Sequence, residues 1–251
     1  MSSPTREQRV ALDVPLYVHE GWAERFPFVV QGTTGRGEDG GHDLGLFRDT
    51  PSGVAQERWR TLRTLTGMPT AVHARQVHGA RVLVHDPLPA GLLVADDADG
   101  HITTAAGMLL TVSVADCVPI ALIAERPRAV AVLHAGWRGT AAGVLEEGIA
   151  AFRRLGAPPG SVWVHLGPAI CGGCYEVGLE VHAALGLPRP DHNAPVDLRA
   201  VLAARALRAG VPATQLTRSA WCTRCDGAHF FSHRAGSSGR QLMVIGLRPG
   251  G

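Results

Sequence analysis

Three apolar runs that follow one another closely constrain the fold of this 251-residue chain more than any other feature. They occupy residues 109–114, 118–124 and 129–134. Each run is typical of a buried β-strand, and the segments between them are too short to hold a helix. Strands that follow each other directly favour a mixed sheet over an all-parallel one. We therefore expect an α/β (α+β mixed) fold, a mixed-sheet sandwich with flanking helices.

The rest of the chain supports this interpretation. We expect further strands at 26–31, 71–77, 81–85, 162–166, 230–233 and 241–247, and helices at 54–65, 140–155, 176–185 and 196–209. There is no internal repeat and no clear linker. We therefore expect an N-terminal extension over residues 1–25 and a single catalytic domain over 26–251.

Charge and composition exclude several classes of function. The formal net charge is +2, whereas proteins that track phosphate backbones are usually strongly basic, so we expect no nucleic-acid partner. The sequence contains no lysine, which excludes a Schiff-base lysine and a Walker-A phosphate loop. Any anion must be bound by arginine, histidine or backbone N–H groups.

The N-terminus gives no sign of export. It lacks the apolar segment of a secretory signal, and no apolar stretch reaches membrane-spanning length. We expect a cytoplasmic protein without a membrane partner, a monomer or weak homo-oligomer, in which the five cysteines are mostly reduced.

Reactive side chains follow two of the apolar runs. Cys117 comes directly after the first run, and His134 stands at the end of the third. Strand ends are where α/β proteins build their sites, so the two can form a nucleophile and its base, or two metal ligands. His78, before a glycine in a predicted turn, is a third candidate, and Asp99 in a polar turn can reach the same site.

Three nitrogen or sulfur ligands with one open position are typical of a catalytic zinc site. The separations between His78, Cys117 and His134 are 39 and 17 residues, which match no compact ligand motif. Spacing alone therefore does not establish the metal.

Two C-x2-C units, Cys171 with Cys174 and Cys222 with Cys225, are a separate feature. Paired units of this kind indicate a zinc ribbon when they are about 15–20 residues apart. Here 47 residues intervene and contain two predicted helices. We therefore expect four structural thiols rather than a second zinc site.

Several motifs together resemble one family, the bacterial multicopper polyphenol oxidase (laccase-like) proteins. Its members are described as purine nucleoside phosphorylases with adenosine deaminase activity, and some as peptidoglycan editing factors. The resemblance runs from about residue 28 to the C-terminus and is carried by Gln-Val-His-Gly at 76–79, Ala-Asp-Cys-Val-Pro at 115–119, His-Ala-Gly-Trp-Arg-Gly at 134–139, Gly-Pro-Ala-Ile at 167–170, Cys-Tyr-Glu-Val-Gly at 174–178, Phe-Phe-Ser-His-Arg at 230–234 and Gly-Arg-Gln at 239–241.

The resemblance implies a fold similar to the catalytic domain of cytotoxic necrotizing factor. It also implies a zinc ion held by His78, Cys117 and His134, the same residues being catalytic. The implied reaction is phosphorolysis of adenosine, inosine and methylthioadenosine to the free base and ribose 1-phosphate, with adenosine deamination at the same site. The implied partners are a small nucleoside and phosphate.

Five residues are candidates for binding the substrate: Arg138, Asp43, Arg75, Arg234 and Arg240. Arg138 follows His134 by four residues, where a strand gives way to a helix, and helix N-termini attract anions. A surface salt bridge is the alternative for Arg138. Asp43 stands where the family usually has Asn, which replaces a neutral donor and acceptor by an acceptor-only carboxylate.

Two other functions use the same residues. In a cysteine or zinc amidohydrolase that edits a peptidoglycan precursor, Cys117 would attack and His134 would activate it. A copper polyphenol oxidase ranks lowest, because a blue-copper site often adds an axial methionine and none of the four methionines adjoins these motifs.

Overall fold

Two seven-stranded sheets packed against each other form the centre of the protein, and helices cover their outer faces. The structure is a computed structural model and describes residues 3–47 and 52–250. It confirms the expected mixed α/β sandwich.

The strands of the described residues are, in chain order, β1 (Ser3–Thr5), β2 (Gln8–Val10), β3 (Leu16–Val18), β4 (Val29–Thr34), β5 (Thr70–Ala74), β6 (Val82–His85), β7 (Gly91–Ala95), β8 (Gly100–Thr103), β9 (Met108–Val114), β10 (Val118–Glu125), β11 (Arg128–Ala135), β12 (Val162–Leu166), β13 (Glu176–Val177), β14 (Ala194–Pro195), β15 (Leu216–Ser219) and β16 (Gln241–Leu247). The α-helices are α1 (Glu20–Arg25), α2 (Ser52–Thr66), α3 (Trp137–Ala142), α4 (Val144–Arg154), α5 (Leu179–Leu185) and α6 (Leu198–Arg208).

Both large sheets are mixed. The first has the order β1-β15-β12-β10-β11-β8-β6, with antiparallel pairing at its centre and parallel pairs towards both edges. The second has the order β2-β3-β4-β16-β9-β5-β7, and only β9-β5 and β5-β7 are parallel. The strands β13 and β14 form a separate short ladder.

The central strands are predominantly apolar because both of their faces are buried. Along β9, Leu110 and Val112 point into the core between the sheets, whereas Leu109 packs on the outer side with α2. In β10, Ile123 faces the other sheet and Leu122 faces the helices. The period of two residues in a strand thus sorts neighbouring side chains into different cores.

Helices cover each sheet on its outer face. The apolar faces of α4 and α6 pack on the first sheet, with Phe152 fully buried, and Trp59 of α2 packs on the second. The predicted helix at 54–65 is therefore confirmed. The helix predicted at 140–155 is instead divided into α3 and α4 at Gly143, whose φ of 85° is left-handed and ends a helix at little cost for glycine.

Other predicted boundaries were wrong. The strand expected at 26–31 begins at Val29, and the helix expected at 176–185 begins only after Gly178. No strand forms at 230–233. There the backbone N–H and carbonyl of Phe231 pair with the side-chain amide of Gln241 at 2.7 and 3.1 Å, which replaces a sheet ladder.

The segment expected to be an N-terminal extension contributes to both sheets over its described residues. β1 pairs in parallel with β15 in the first sheet, and β3 pairs with β4 in the second. Trp22 of α1 is buried in the core between the sheets. Among the described residues, no helix combines the length and apolarity that crossing a bilayer requires.

The core between the sheets gives a matched pair of leucines for measuring its contribution to stability. Leu110 is 0% exposed in β9, and Leu93 is 38% exposed in the edge strand β7. We expect Leu110→Ala to lower the free energy of unfolding by about 2–5 kcal/mol, the cost of a buried cavity. Leu93→Ala should cost clearly less, since a large part of that side chain is already in water. Urea denaturation of both variants measures the difference, and equal losses would contradict the assigned core.

Candidate metal centre and its cavity

Cys117 lies in the tight turn between β9 and β10. The residue before it, Asp116, has a φ of 90°, which is unusual for a residue other than glycine. The carboxylate of Asp116 accepts hydrogen bonds from the hydroxyl of Thr223 at 2.6 Å and from the backbone N–H of Arg234 at 2.7 Å. These contacts from distant segments hold the turn in its strained conformation.

His134 is brought to the cysteine by strand register. β10 and β11 are antiparallel, with Pro119 opposite His134 and Val118 opposite Ala135. The last residues of β11 therefore lie beside the first residues of β10, and Cys117 directly precedes that position. The sheet itself brings together two residues that are 17 apart in sequence.

His78 reaches the same place from the turn after β5. Its φ of 60° is left-handed, and the backbone N–H groups of Val77, His78 and Gly79 converge on the carboxylate of Asp99 at 3.2, 2.9 and 2.7 Å. Successive N–H groups in such a turn form a concave anion site. Here the protein's own carboxylate occupies that site.

Asp99 also orients His134. Its Oδ1 lies 2.8 Å from Nδ1 of His134, and the carboxylate is 0% exposed. The contact leaves Nε2 of His134 available, which is the arrangement that metal-binding histidines commonly show. The expectation that Asp99 can reach the site is met, and the structure shows it as the shared support of two candidate ligands.

His78, Cys117 and His134 place one potential ligand atom each within 4.8 Å of one another. Two imidazoles and a thiolate are ligands that zinc favours. The space is kept open by Gly136, since a Cβ there would lie 3.0 Å from Sγ of Cys117 and 3.1 Å from Cδ2 of His78. The donor set and the space around it fit a metal ion with an open coordination position.

Electrostatics at the cluster favour the thiolate. Burial raises the pKa of Cys117, but His134 and His78 outweigh burial and lower that pKa to about 6. Burial lowers the pKa of His134, but Cys117 and Asp99 outweigh it and raise that pKa to about 9. A thiolate is the form of cysteine that ligates a metal or acts as a nucleophile.

The cluster forms part of the wall of a cavity of about 350 Å³. This volume lies in the range of small-molecule sites. Besides the cluster, the cavity is lined by Gly45, Leu46, Phe47, Arg75, Gln76, Ser113, Val114, Ala115, His233 and Arg240.

The predicted substrate residues divide into those that line the cavity and those that do not. Arg75 and Arg240 line it. The carboxylate of Asp43 binds backbone groups. Its Oδ1 accepts hydrogen bonds from the backbone N–H groups of Gly45 and Arg240, both at 2.9 Å. The acceptor-only carboxylate at this position is thus used by two donors.

Arg138 and Arg234 are not among the lining residues. Arg138 is exposed at the start of α3 and lies 4.2 Å from the ring centre of its neighbour Trp137. Arg234 lies over Tyr175 at 5.3 Å and donates to the carbonyl of Glu176 at 3.1 Å. The helix that follows His134 is only six residues long, so it offers a weaker anion site than the expected sixteen-residue helix would.

Sequence reasoning missed three elements of the cavity. Gln76 binds Ser113 through two hydrogen bonds, because its Oε1 accepts from the N–H and from the hydroxyl of Ser113 at 2.7 and 2.8 Å. Phe47 presents a half-exposed ring, and His233 adds an imidazole. Gln76 and His233 belong to motifs that carried the resemblance, but the contact of Gln76 depends on Ser113, which is 37 residues away in sequence. No local pattern pointed to Phe47.

The four remaining cysteines converge elsewhere. Cys171, Cys174, Cys222 and Cys225 also place their sulfur atoms within 4.8 Å of one another. The long intervening segment predicts structural thiols rather than a metal site, whereas the structure groups the four cysteines in one cluster that could hold a metal ion.

Comparisons with known sequences identify the relatives of this chain. A family model described as multi-copper polyphenol oxidoreductase laccase matches residues 32–248. A purine nucleoside phosphorylase of Xylella fastidiosa (strain Temecula1) is 38% identical over 208 residues, which cover 77% of this chain and 78% of the relative. A protein named adenosine deaminase RL5, from an unknown prokaryotic organism, is 36% identical over 180 residues, 65% of this chain and 69% of the relative.

Solved structures show the same fold. YlmD from Geobacillus stearothermophilus superimposes with a TM-score of 0.87 at 30% identity and covers 98% of this chain and 100% of its own. YfiH from Bacillus licheniformis superimposes with a TM-score of 0.84 at 25% identity, and the match covers 93% of this chain and 96% of YfiH. A mixed α/β sandwich is thus shared with known proteins. The chain belongs to the multi-copper polyphenol oxidoreductase laccase family, whose members include proteins named for purine nucleoside phosphorylase and adenosine deaminase activity.

The role of Asp99 can be tested without touching a ligand. In Asp99→Asn one oxygen becomes an NH2 group that faces N–H donors, so the support of the His78 turn and of His134 is lost. We expect metal affinity to fall about 10- to 100-fold, as for other residues that orient metal ligands. Competition titration of zinc against a chelator measures it.

Asp97→Asn is the matched control, since it makes the same change two residues earlier in an exposed carboxylate that pairs with Arg75. Its zinc affinity should stay near that of the wild type. Equal affinities for both variants would show that Asp99 does not orient the ligands.

Proposed function

We propose that this chain is a zinc-dependent purine nucleoside enzyme. It cleaves adenosine, inosine and methylthioadenosine with phosphate to the free base and ribose 1-phosphate, and it deaminates adenosine at the same site. The observation that carries the proposal is the cluster of His78, Cys117 and His134 on the wall of a cavity of about 350 Å³. The names of the relatives support the choice of purine nucleosides.

The cavity offers suitable groups for a purine ring and for phosphate. The ring of Phe47 is half exposed and provides a face on which a purine can stack. Arg240 and Arg75 supply positive charge for phosphate, a task that falls to arginine in a chain without lysine. Asp97 binds the guanidinium of Arg75 through two hydrogen bonds of 2.6 and 2.7 Å and offsets part of its charge. Both arginines line the cavity and are candidates for binding the phosphate.

In phosphorolysis a phosphate oxygen bonds to the anomeric carbon of the ribose while the bond from that carbon to the purine nitrogen breaks. The purine takes up a proton as it leaves. In deamination water adds to the purine carbon that carries the amine, and ammonia leaves. His233, on the cavity wall, is the proposed group that moves the proton in either reaction.

Zinc, when bound, would supply a Lewis acid beside the substrate. His78, Cys117 and His134 would hold it, and Asp99 keeps the two histidine-bearing segments in place. Cytoplasmic location and the monomeric or weakly oligomeric state remain part of this proposal.

Arginine variants test where phosphate binds. We expect Arg240→Ala to lower phosphorolysis efficiency about ten- to over a hundredfold, since a hydrogen bond to a charged group is worth about 1.5–3 kcal/mol. Deamination uses water in place of phosphate and should fall less. Both reactions are measured on adenosine, with and without phosphate, and zinc content is checked in each variant.

Two other arginines complete the experiment. Arg154→Ala, on the exposed face of α4, is the control for loss of a surface arginine. Arg138→Ala examines the site expected from the sequence, and a selective loss of phosphorolysis in that variant would move the phosphate to the start of α3. Equal losses of both reactions in Arg240→Ala would contradict a phosphate role for Arg240.

A cysteine amidohydrolase is the second candidate, and a specific observation favours it. Cys117, His134 and Asp99 are arranged in the order of a nucleophile, its base and the group that orients the base. Activity on a peptidoglycan precursor that survives chelation, together with covalent trapping of Cys117, would support this function. A copper oxidase ranks below both, since no methionine is among the described residues that line the cavity.

A further inference from the structure

The four cysteines outside the cavity form a cluster that the proposed reaction does not use. Cys171 and Cys174 bracket a turn after β12, and Cys222 and Cys225 bracket a turn after β15. Their sulfur atoms all lie within 4.8 Å of one another. In a tetrahedral zinc site with Zn–S bonds of about 2.3 Å, the sulfur atoms are about 3.8 Å apart. The cluster therefore needs only small shifts to reach that geometry.

The backbone around the sulfurs is arranged as at a thiolate ligand. Sγ of Cys222 accepts the N–H groups of Cys171 at 3.2 Å and of Cys225 at 3.4 Å. Both C-x2-C turns thus donate to one sulfur. Such hydrogen bonds stabilise negative charge on sulfur.

The fold brings the two turns together although 47 residues separate them. β12 and β15 are parallel neighbours, and the pairing continues in a bridge between Ala169 and Cys222. The N–H of Thr223 also donates to the carbonyl of Ala169 at 3.2 Å. The sheet therefore positions both halves of the cluster.

A buried arginine, Arg199, lies next to the cysteine cluster. Arg199 is only 6% exposed and donates to the carbonyls of Ser219 and Trp221, both at 2.7 Å, directly before Cys222. Its guanidinium interacts electrostatically with Cys222 and Cys171. A zinc ion with four thiolates carries a net charge of −2, and a buried guanidinium offsets part of it.

We propose that Cys171, Cys174, Cys222 and Cys225 bind a structural zinc ion, distinct from the metal centre in the cavity. Four cysteine ligands close the coordination sphere, which is the pattern of structural rather than catalytic zinc. The ion crosslinks the segment after β12 to the segment after β15.

The crosslinked segments also support the cavity site. Ile170 donates its N–H to the carbonyl of Asp116 at 3.1 Å, and Thr223 donates its hydroxyl to the carboxylate of Asp116. Asp116 is the strained residue that presents Cys117. Removing the structural zinc should therefore loosen the turn at Cys117 as a secondary effect.

Metal counting tests the proposal on the whole protein. Wild type purified under argon with a reductant, loaded with zinc and freed of excess should hold two equivalents by elemental analysis. Cys117→Ala leaves the four cysteines untouched and should hold one. Cys171→Ser and Cys225→Ser should each lose one equivalent, and either change combined with Cys117→Ala should leave none.

Gly173→Ala is the matched control within the first turn, because a Cβ at this exposed position meets nothing within 4 Å and removes no thiol. It should keep two equivalents. Cobalt added to Cys117→Ala should show the intense absorption of tetrahedral thiolate coordination, and this should disappear when Cys225 is also replaced.

Two results would overturn the proposal. One is a wild type with a single equivalent that is lost in Cys117→Ala. The other is a disulfide between Cys174 and Cys225, whose sulfurs lie 3.4 Å apart, found by mass spectrometry in the zinc-loaded protein kept under argon. The number of zinc equivalents in wild type and in Cys117→Ala decides whether the four cysteines bind zinc, even if the serine variants do not fold.

Discussion

The site depends above all on the buried carboxylate of Asp99. It accepts three backbone N–H groups from the turn that carries His78, and its Oδ1 also contacts Nδ1 of His134. An unpaired buried carboxylate is costly, and these hydrogen bonds together stabilise the charge in the interior. One side chain therefore determines both the conformation of the His78 turn and the orientation of His134.

The sandwich explains why these groups meet. The antiparallel register of β10 and β11 sets His134 beside Cys117, and Asp116, in the turn that carries Cys117, is hydrogen-bonded to the segments after β12 and β15. Those two segments carry the four cysteines. The proposed structural zinc and the proposed catalytic zinc are thus linked through one strained turn, although they share no ligand.

Much of the fold and of the candidate metal centre could be predicted from the sequence, and the features that could not be predicted have identifiable physical reasons. The central strands were predictable because burial on both faces makes them predominantly apolar. The three candidate ligands came from strand ends and from the family resemblance. The short strand β1 has no recognisable pattern in three residues, and its parallel pairing with β15 depends on distant partners. The cysteine cluster was missed because its two halves meet only through the neighbouring strands β12 and β15.

In the proposed function, His78, Cys117 and His134 bind one metal ion on the wall of the cavity. Anomalous diffraction from a crystal of the zinc-loaded protein, measured above and below the zinc absorption edge, tests it most directly. We expect a zinc peak about 2.0–2.1 Å from a nitrogen of each histidine and about 2.3 Å from the sulfur of Cys117. The absence of a peak at this position, with Cys117 and His134 in direct contact, would contradict it.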